Sequence, residues 1–217
     1  MQGCWLNHKG TPGCILFMAG WGMGPEPFAG LFADDRDCFF CADYRDLSLP
    51  DLGWIKDYAT VDLLAWSMGV WVAAATLAPY RDRFVTRTAL AGTLHPIDDR
   101  RGIPVAAWME MEDHLDAAMM ERFYASMFED DQERQRFLAH RPTRSPASLR
   151  EELTALRRHV NATGPVQDIF TRRIVTRRDR IFPPRNQLRA WGKDNCEIHP
   201  WPHFSLNSHC HQGNYCP

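Results

Sequence analysis

The stretch that most constrains this chain is Val61-Asp62-Leu63-Leu64-Ala65-Trp66-Ser67-Met68-Gly69-Val70-Trp71-Val72-Ala73-Ala74-Ala75, which reads as strand, sharp turn and helix. The apolar run up to Trp66 is short and bounded, as a strand buried on both faces must be. The Ala-rich run from Gly69 favours helix and holds no early breaker. Ser67 stands at the join. A serine there projects its hydroxyl from the carboxyl edge of a sheet, beside the unpaired N–H groups and positive dipole end of the following helix. That is the geometry of a nucleophile elbow, here with Ala65 where a first glycine is usual. Serine is also a common helix N-cap, so the motif alone leaves both readings open.

The flanking chain supplies further strands. Cys14-Ile15-Leu16-Phe17-Met18-Ala19 is a compact apolar run that enters the glycine-rich loop Gly20-Trp21-Gly22-Met23-Gly24. Such a loop lets backbone N–H groups approach a ligand, but its spacing is not that of a dinucleotide fingerprint. Residues 38–44, 88–91, 169–176 and 196–199 read as further strands, with a helix through Gln187 to Trp191 before the last. Strands alternating with helical stretches imply an α/β fold with a mostly parallel central sheet and helices on both faces.

From Pro104 to about residue 160 the pattern turns helical, with Leu115, Met119, Phe123, Met127 and Phe128 forming an apolar stripe. The stripe suits packing; as a lid over the sheet edge it would also present Met and Phe side chains to an apolar substrate. Pro142 and Pro146 are expected to divide the insertion into two helical pairs. Residues 134–158 hold seven arginines against two acids, and residues 172–193 eight basic side chains against one acid. Either these are solvated faces or they dock an acidic partner.

With 45% hydrophobic residues among 217, one domain spanning 1–217 is expected, with a helical lid insertion at about 104–160. A net charge of −2 argues against a nucleic-acid footprint over the whole surface. No apolar run is long enough to span a bilayer and the opening residues lack a signal-peptide pattern, so a cytoplasmic protein without membrane contact is expected, as a monomer. Seven irregularly spaced cysteines fit reduced core thiols, and Cys38-Phe39-Phe40-Cys41 reads as strand, not as a metal or redox pair.

A serine nucleophile needs a base, and the base needs an acid to fix its tautomer. Ser67, Asp179 and His203 occur in the chain order of the α/β-hydrolases, each just after a candidate strand. Asp179 is better placed than Asp98, Asp99 or Asp194, and His203, on a loop, better than His199 on a strand. The backbone N–H groups of Trp21 and Met68 are the expected oxyanion donors.

The chain resembles the BioG-type pimeloyl-acyl-carrier-protein methyl ester esterases of biotin synthesis. The resemblance runs over most of residues 14–204 and rests on the segments F-M-A-G-W-G-M at 17–23, D-Y-R-D-L at 43–47, A-W-S-M-G-V-W at 65–71, G-T-L-H-P-I-D-D at 92–99, G-I-P at 102–104 and D-R-I-F-P-P-R-N-Q at 179–187. It implies an α/β-hydrolase fold, a triad of Ser67, Asp179 and His203, and removal of methanol from a pimeloyl chain carried on acyl carrier protein. It implies no metal and no organic cofactor. Trp66 and Phe123 are then expected to face the acyl chain, and Arg134, Arg150 and Arg157 the acidic carrier. A broader carboxylesterase or acyl-thioesterase, and a non-catalytic hydrolase-fold binding protein, stay open as alternatives. After Phe204 the resemblance lapses; His209-Cys210-His211 with Cys216 is a poor metal site because the tail is short.

Overall fold

The computed structural model describes residues 1–32 and 35–206. Seven strands form one sheet in the order β1-β3-β2-β4-β5-β6-β7. These are β1 (Gln2–Asn7), β2 (Gly13–Met18), β3 (Asp37–Ala42), β4 (Thr60–Trp66), β5 (Arg87–Leu90), β6 (Arg172–Thr176) and β7 (Glu197–His199). β1 pairs antiparallel with β3; every other pairing is parallel. Strands β2 and β3 are buried at every position, and β4 at all but its first, which is why they read as unbroken apolar runs.

β1 was not foreseen. It is an edge strand whose residues are exposed or half-buried, and with Gln2, Gly3 and Asn7 it shows no apolar alternation. Cys38 and Cys41 lie buried in β3, as a strand reading requires. Burial pushes the Cys14 and Cys41 thiols up to about 12, so both are inert core groups.

Helix α1 (Met68–Leu77) follows β4 directly and is buried at nearly every position, its small residues letting it sit against the sheet. A Cβ on Gly69 would lie 2.2 Å from the Met18 carbonyl oxygen, so only glycine lets the helix start this close to β2.

Between β5 and β6 the chain inserts four helices, α2 (Val105–His114), α3 (Ala117–Ser126), α4 (Asp131–Ala139) and α5 (Pro146–Thr163). The prolines do not divide them into two pairs: Pro142 falls between α4 and α5, and Pro146 opens α5. The other breaks are set by aspartate caps. Asp116 accepts from the Met119 N–H at 2.7 Å and Asp130 from the Glu133 N–H at 2.8 Å. Pro104 caps α2 from outside instead of opening it. Helix α6 (Pro184–Trp191) separates β6 from β7. No helix of the described residues is long and apolar enough to cross a membrane.

Candidate active site

The strand-to-helix join bends as the sequence requires. Ser67 sits at φ 59°, ψ −126°, a strained conformation that turns the chain between the end of β4 and the first turn of α1. The Ser67 N–H donates to the Leu90 carbonyl at 2.9 Å, tying the corner to β5. A Cβ on Gly20 would lie 3.1 Å from the Ser67 Cβ, so the glycine-rich loop after β2 runs directly against the serine.

Ser67, His203 and Asp179 form one relay. Ser67 Oγ lies 3.0 Å from His203 Nε2, and His203 Nδ1 lies 2.8 Å from Asp179 Oδ2. An aspartate acceptor at Nδ1 fixes the proton there and leaves Nε2 free to receive the serine proton. The three side chains are buried, His203 to 1% exposure, which strengthens each interaction.

Asp179 is held by a full set of donors. Its Oδ1 accepts from the N–H groups of Ile181 and Phe182, both at 2.8 Å. Its Oδ2 also accepts from the Thr176 hydroxyl at 2.8 Å and from Gln187 Nε2 at 3.1 Å. His203 is fixed through its backbone: its carbonyl accepts from the Trp66 indole N–H at 2.9 Å. The next residue, Phe204, donates its N–H to the Met127 carbonyl at 3.0 Å. Thr176, Gln187 and the anchoring role of Trp66 escaped the sequence reading, because nothing in their local spacing marks them.

The relay opens on a cavity of about 310 Å³ bordered by the residues expected to receive an oxyanion, Trp21 and Met68, and by Trp66 and Phe123. Helices α2, α3 and α5 contribute Trp108, Met119 and Leu153 to the same wall. The apolar stripe is therefore shared. Met119 and Phe123 face the cavity, whereas Leu115, Met127 and Phe128 are buried in the core.

The arginines expected to meet a partner are engaged within the chain. Arg157 binds the buried Glu112 through two bonds of 2.8 and 2.9 Å, Arg150 donates to the Leu115 carbonyl at 2.5 Å, and Arg134 pairs with Asp131 at 3.0 Å. The sequence shows their charge but not these acceptors. The arginines that border the cavity are Arg122 and Arg180; both are exposed and have no ion pair among the described residues. His209, Cys210, His211 and Cys216 lie outside the described residues.

The family model described as pimeloyl-ACP methyl esterase BioG matches residues 1–211. A Bacteroides fragilis protein named malonyl-[acyl-carrier protein] O-methyltransferase is 36% identical over 184 residues, 85% of this chain but 37% of that protein, so the chain spans little more than a third of its length. A crystal structure of BioG from Haemophilus influenzae superposes with a TM-score of 0.84 at 29% identity, covering 99% of both chains. A lipase-esterase related protein from Clostridium acetobutylicum superposes at 0.61 with 15% identity, covering 98% of this chain and 96% of that one, a likeness of fold: the α/β-hydrolase fold.

Proposed function

We propose, from the premise that this chain belongs to the BioG family of pimeloyl-ACP methyl esterases, that it is a serine esterase acting on the methyl ester of pimeloyl-acyl carrier protein and releasing pimeloyl-acyl carrier protein and methanol. The observation that carries the reading is the buried Ser67–His203–Asp179 relay opening on a cavity walled by Trp, Met and Phe side chains.

In this reaction Ser67 Oγ attacks the ester carbonyl carbon while His203 Nε2 takes its proton. The carbonyl oxygen becomes an oxyanion received by the N–H groups of Trp21 and Met68. His203 returns the proton to the departing methoxide, and methanol leaves an acyl-serine. Water then enters, gives its proton to Nε2 and attacks the acyl carbon; Ser67 leaves with that proton and the free carboxylic acid is released. Asp179 stays ionised throughout and stabilises the transient imidazolium. Protein groups and water supply every step.

The carrier-bound substrate presents an apolar chain and, beyond it, an acidic protein. Arg122 and Arg180, without an ion pair among the described residues and at the border of an apolar cavity, suit that combination better than Arg134 and Arg157, which are paired with carboxylates, and Arg150, which is bonded to the Leu115 carbonyl.

The name of the Bacteroides relative denotes methyl transfer, but the chain matches 37% of that protein. A nucleophile with a proton carrier meets the needs of removing a methyl ester, not of installing one. Methanol release from methyl pimeloyl-acyl carrier protein by the pure protein tests the proposal. Abolition in Ser67→Ala is the expected result, and unchanged turnover in that variant overturns it. Acyl-thioesters assayed in parallel separate this activity from a thioesterase.

A further inference from the structure

Glu152 is a fully buried carboxylate, 0% exposed, that the serine relay does not use. It sits on α5 and faces the carboxyl ends of two strands. Oε1 accepts from the Tyr44 N–H, just after β3, at 3.0 Å. Oε2 accepts from the Gly22 N–H, in the loop after β2, at 3.4 Å. Arg144 pairs with Oε2, is itself held by the Ser148 carbonyl and hydroxyl at 3.2 and 3.1 Å, and lies 3.6 Å from Asp43. Desolvation pushes the Glu152 carboxyl up in pKa, while Arg144 and the Tyr44 amide hold it down.

An ion pair placed in the interior is no more stabilising than well-packed apolar side chains of the same volume. What an apolar side chain cannot do is accept hydrogen bonds from two loop amides, which would otherwise be buried without partners. One of those amides belongs to the loop that carries the Trp21 N–H. The Trp21 indole donates to the Leu149 carbonyl at 3.1 Å, one turn before Glu152 on α5. The Tyr44 hydroxyl donates to the Ala19 carbonyl at 2.7 Å, at the start of the same loop. Helix α5 thus grips Trp21 by its side chain through Leu149 and by its following peptide through Glu152.

We propose that Glu152, with Arg144, is a positioning residue that fixes the Gly20-Trp21-Gly22 loop so that the Trp21 N–H meets the oxyanion formed on the Ser67 adduct. This rests on the esterase reading above. It makes α5 a fixed wall of the cavity: any displacement of the helix carries the oxyanion loop with it.

The test uses the full chain as Glu152→Ala and Glu152→Gln, with sites counted by complete fluorophosphonate labelling. Turnover is measured on a small methyl ester, and inhibition by a trifluoromethyl ketone, which binds as an oxyanion adduct, is compared with inhibition by the matching neutral amide. Glu152→Ala should lower kcat about 10²-fold, the usual effect of losing an oxyanion donor, with KM within about threefold. Ketone affinity should fall in proportion and amide affinity should not move. Glu152→Gln keeps one acceptor oxygen and should lose less. A folded Glu152→Ala with unaltered kcat per labelled site, or with equal weakening of both inhibitors, overturns the proposal. If Glu152→Ala does not fold, the isosteric Glu152→Gln decides, and wild-type kcat with wild-type ketone affinity overturns it. Wild-type turnover of methyl pimeloyl-acyl carrier protein separates the two layers: its absence overturns the esterase reading and this proposal together, whereas normal wild-type turnover with an unaltered variant overturns this proposal alone.

Discussion

The Asp179→Asn variant isolates what the carboxylate does for the base. Oδ1 accepts from two backbone N–H groups, of Ile181 and Phe182, which cannot reverse their polarity. An asparagine must therefore keep its oxygen on that side and turn its NH₂ toward His203 Nδ1, now 2.8 Å from Oδ2. The Thr176 hydroxyl can rotate to accept from the new amide. Gln187 is less free: its Nε2 also donates to the Phe182 carbonyl at 2.7 Å, so flipping it forfeits a bond, at about 1 kcal/mol. The larger effect falls on the imidazole. An amide donating to Nδ1 locks the proton on Nε2, where it points at Ser67 Oγ, and no lone pair remains to take the serine proton. Loss of the correct tautomer in such a triad lowers kcat about 10⁴-fold, equivalent to about 5.5 kcal/mol of barrier. Methanol release at neutral pH measures it, with a thermal melt to confirm that the fold is retained. A folded variant whose kcat stays within about tenfold of wild type refutes the tautomer argument and removes Asp179 from the relay.

Charge reversal at Arg122 or Arg180 is expected to raise KM for the carrier-bound ester several-fold more than for a small methyl ester, whereas reversal at Arg134 should not discriminate between them; equal effects at all three positions would leave the cavity border without a docking role. Gly69→Ala should destabilise the fold by about 3 kcal/mol or more, because the new Cβ would meet the Met18 carbonyl oxygen at 2.2 Å; a melt unchanged from wild type would contradict that packing. Glu112 is held below the ordinary glutamate range chiefly by its bonds to Arg157. A carboxylate with a lowered folded pKa adds stability above its unfolded value and loses it as pH falls through the folded one. Glu112→Gln should therefore melt below wild type at pH 7 by an amount corresponding to about 1–3 kcal/mol, with the gap closing as the pH is taken down past the ordinary glutamate range. A gap that persists in acid would mean that shape, not charge, is lost.

The central strands were legible because burial on both faces leaves only apolar residues at β2, β3 and β4. The edge strand β1 was not, since a half-exposed strand is free to carry Gln2 and Asn7. The relay was legible for a topological reason: in a parallel sheet every strand ends at the same edge, so Ser67, Asp179 and His203, each just past a strand, must converge. What holds them was not. The Trp66 indole reaches a carbonyl 137 residues away and Glu152 an amide 130 residues away, and such contacts leave no local trace. Charge misled in the same way. The arginine count of residues 134–158 was correct, but whether Arg157 is free or committed depends on Glu112, on another helix.

These long-range contacts explain how a histidine on a loop, the base of the proposed mechanism, is held in place. β7 is only three residues long and lies at the sheet edge, so it brings the chain near the site without fixing it. Precision comes instead from the elbow and the insertion. Trp66, adjacent to Ser67, holds the His203 carbonyl at 2.9 Å and packs its ring 5.1 Å from the imidazole. Phe204 is bonded to the Met127 carbonyl and packs against Phe28, Phe128 and Phe137, joining the β2 side of the core to α3 and α4. Ser67 and His203 therefore share one bearing, Trp66, and a displacement of β4 moves both together. The inserted helices thus both wall the cavity and anchor the residue after His203.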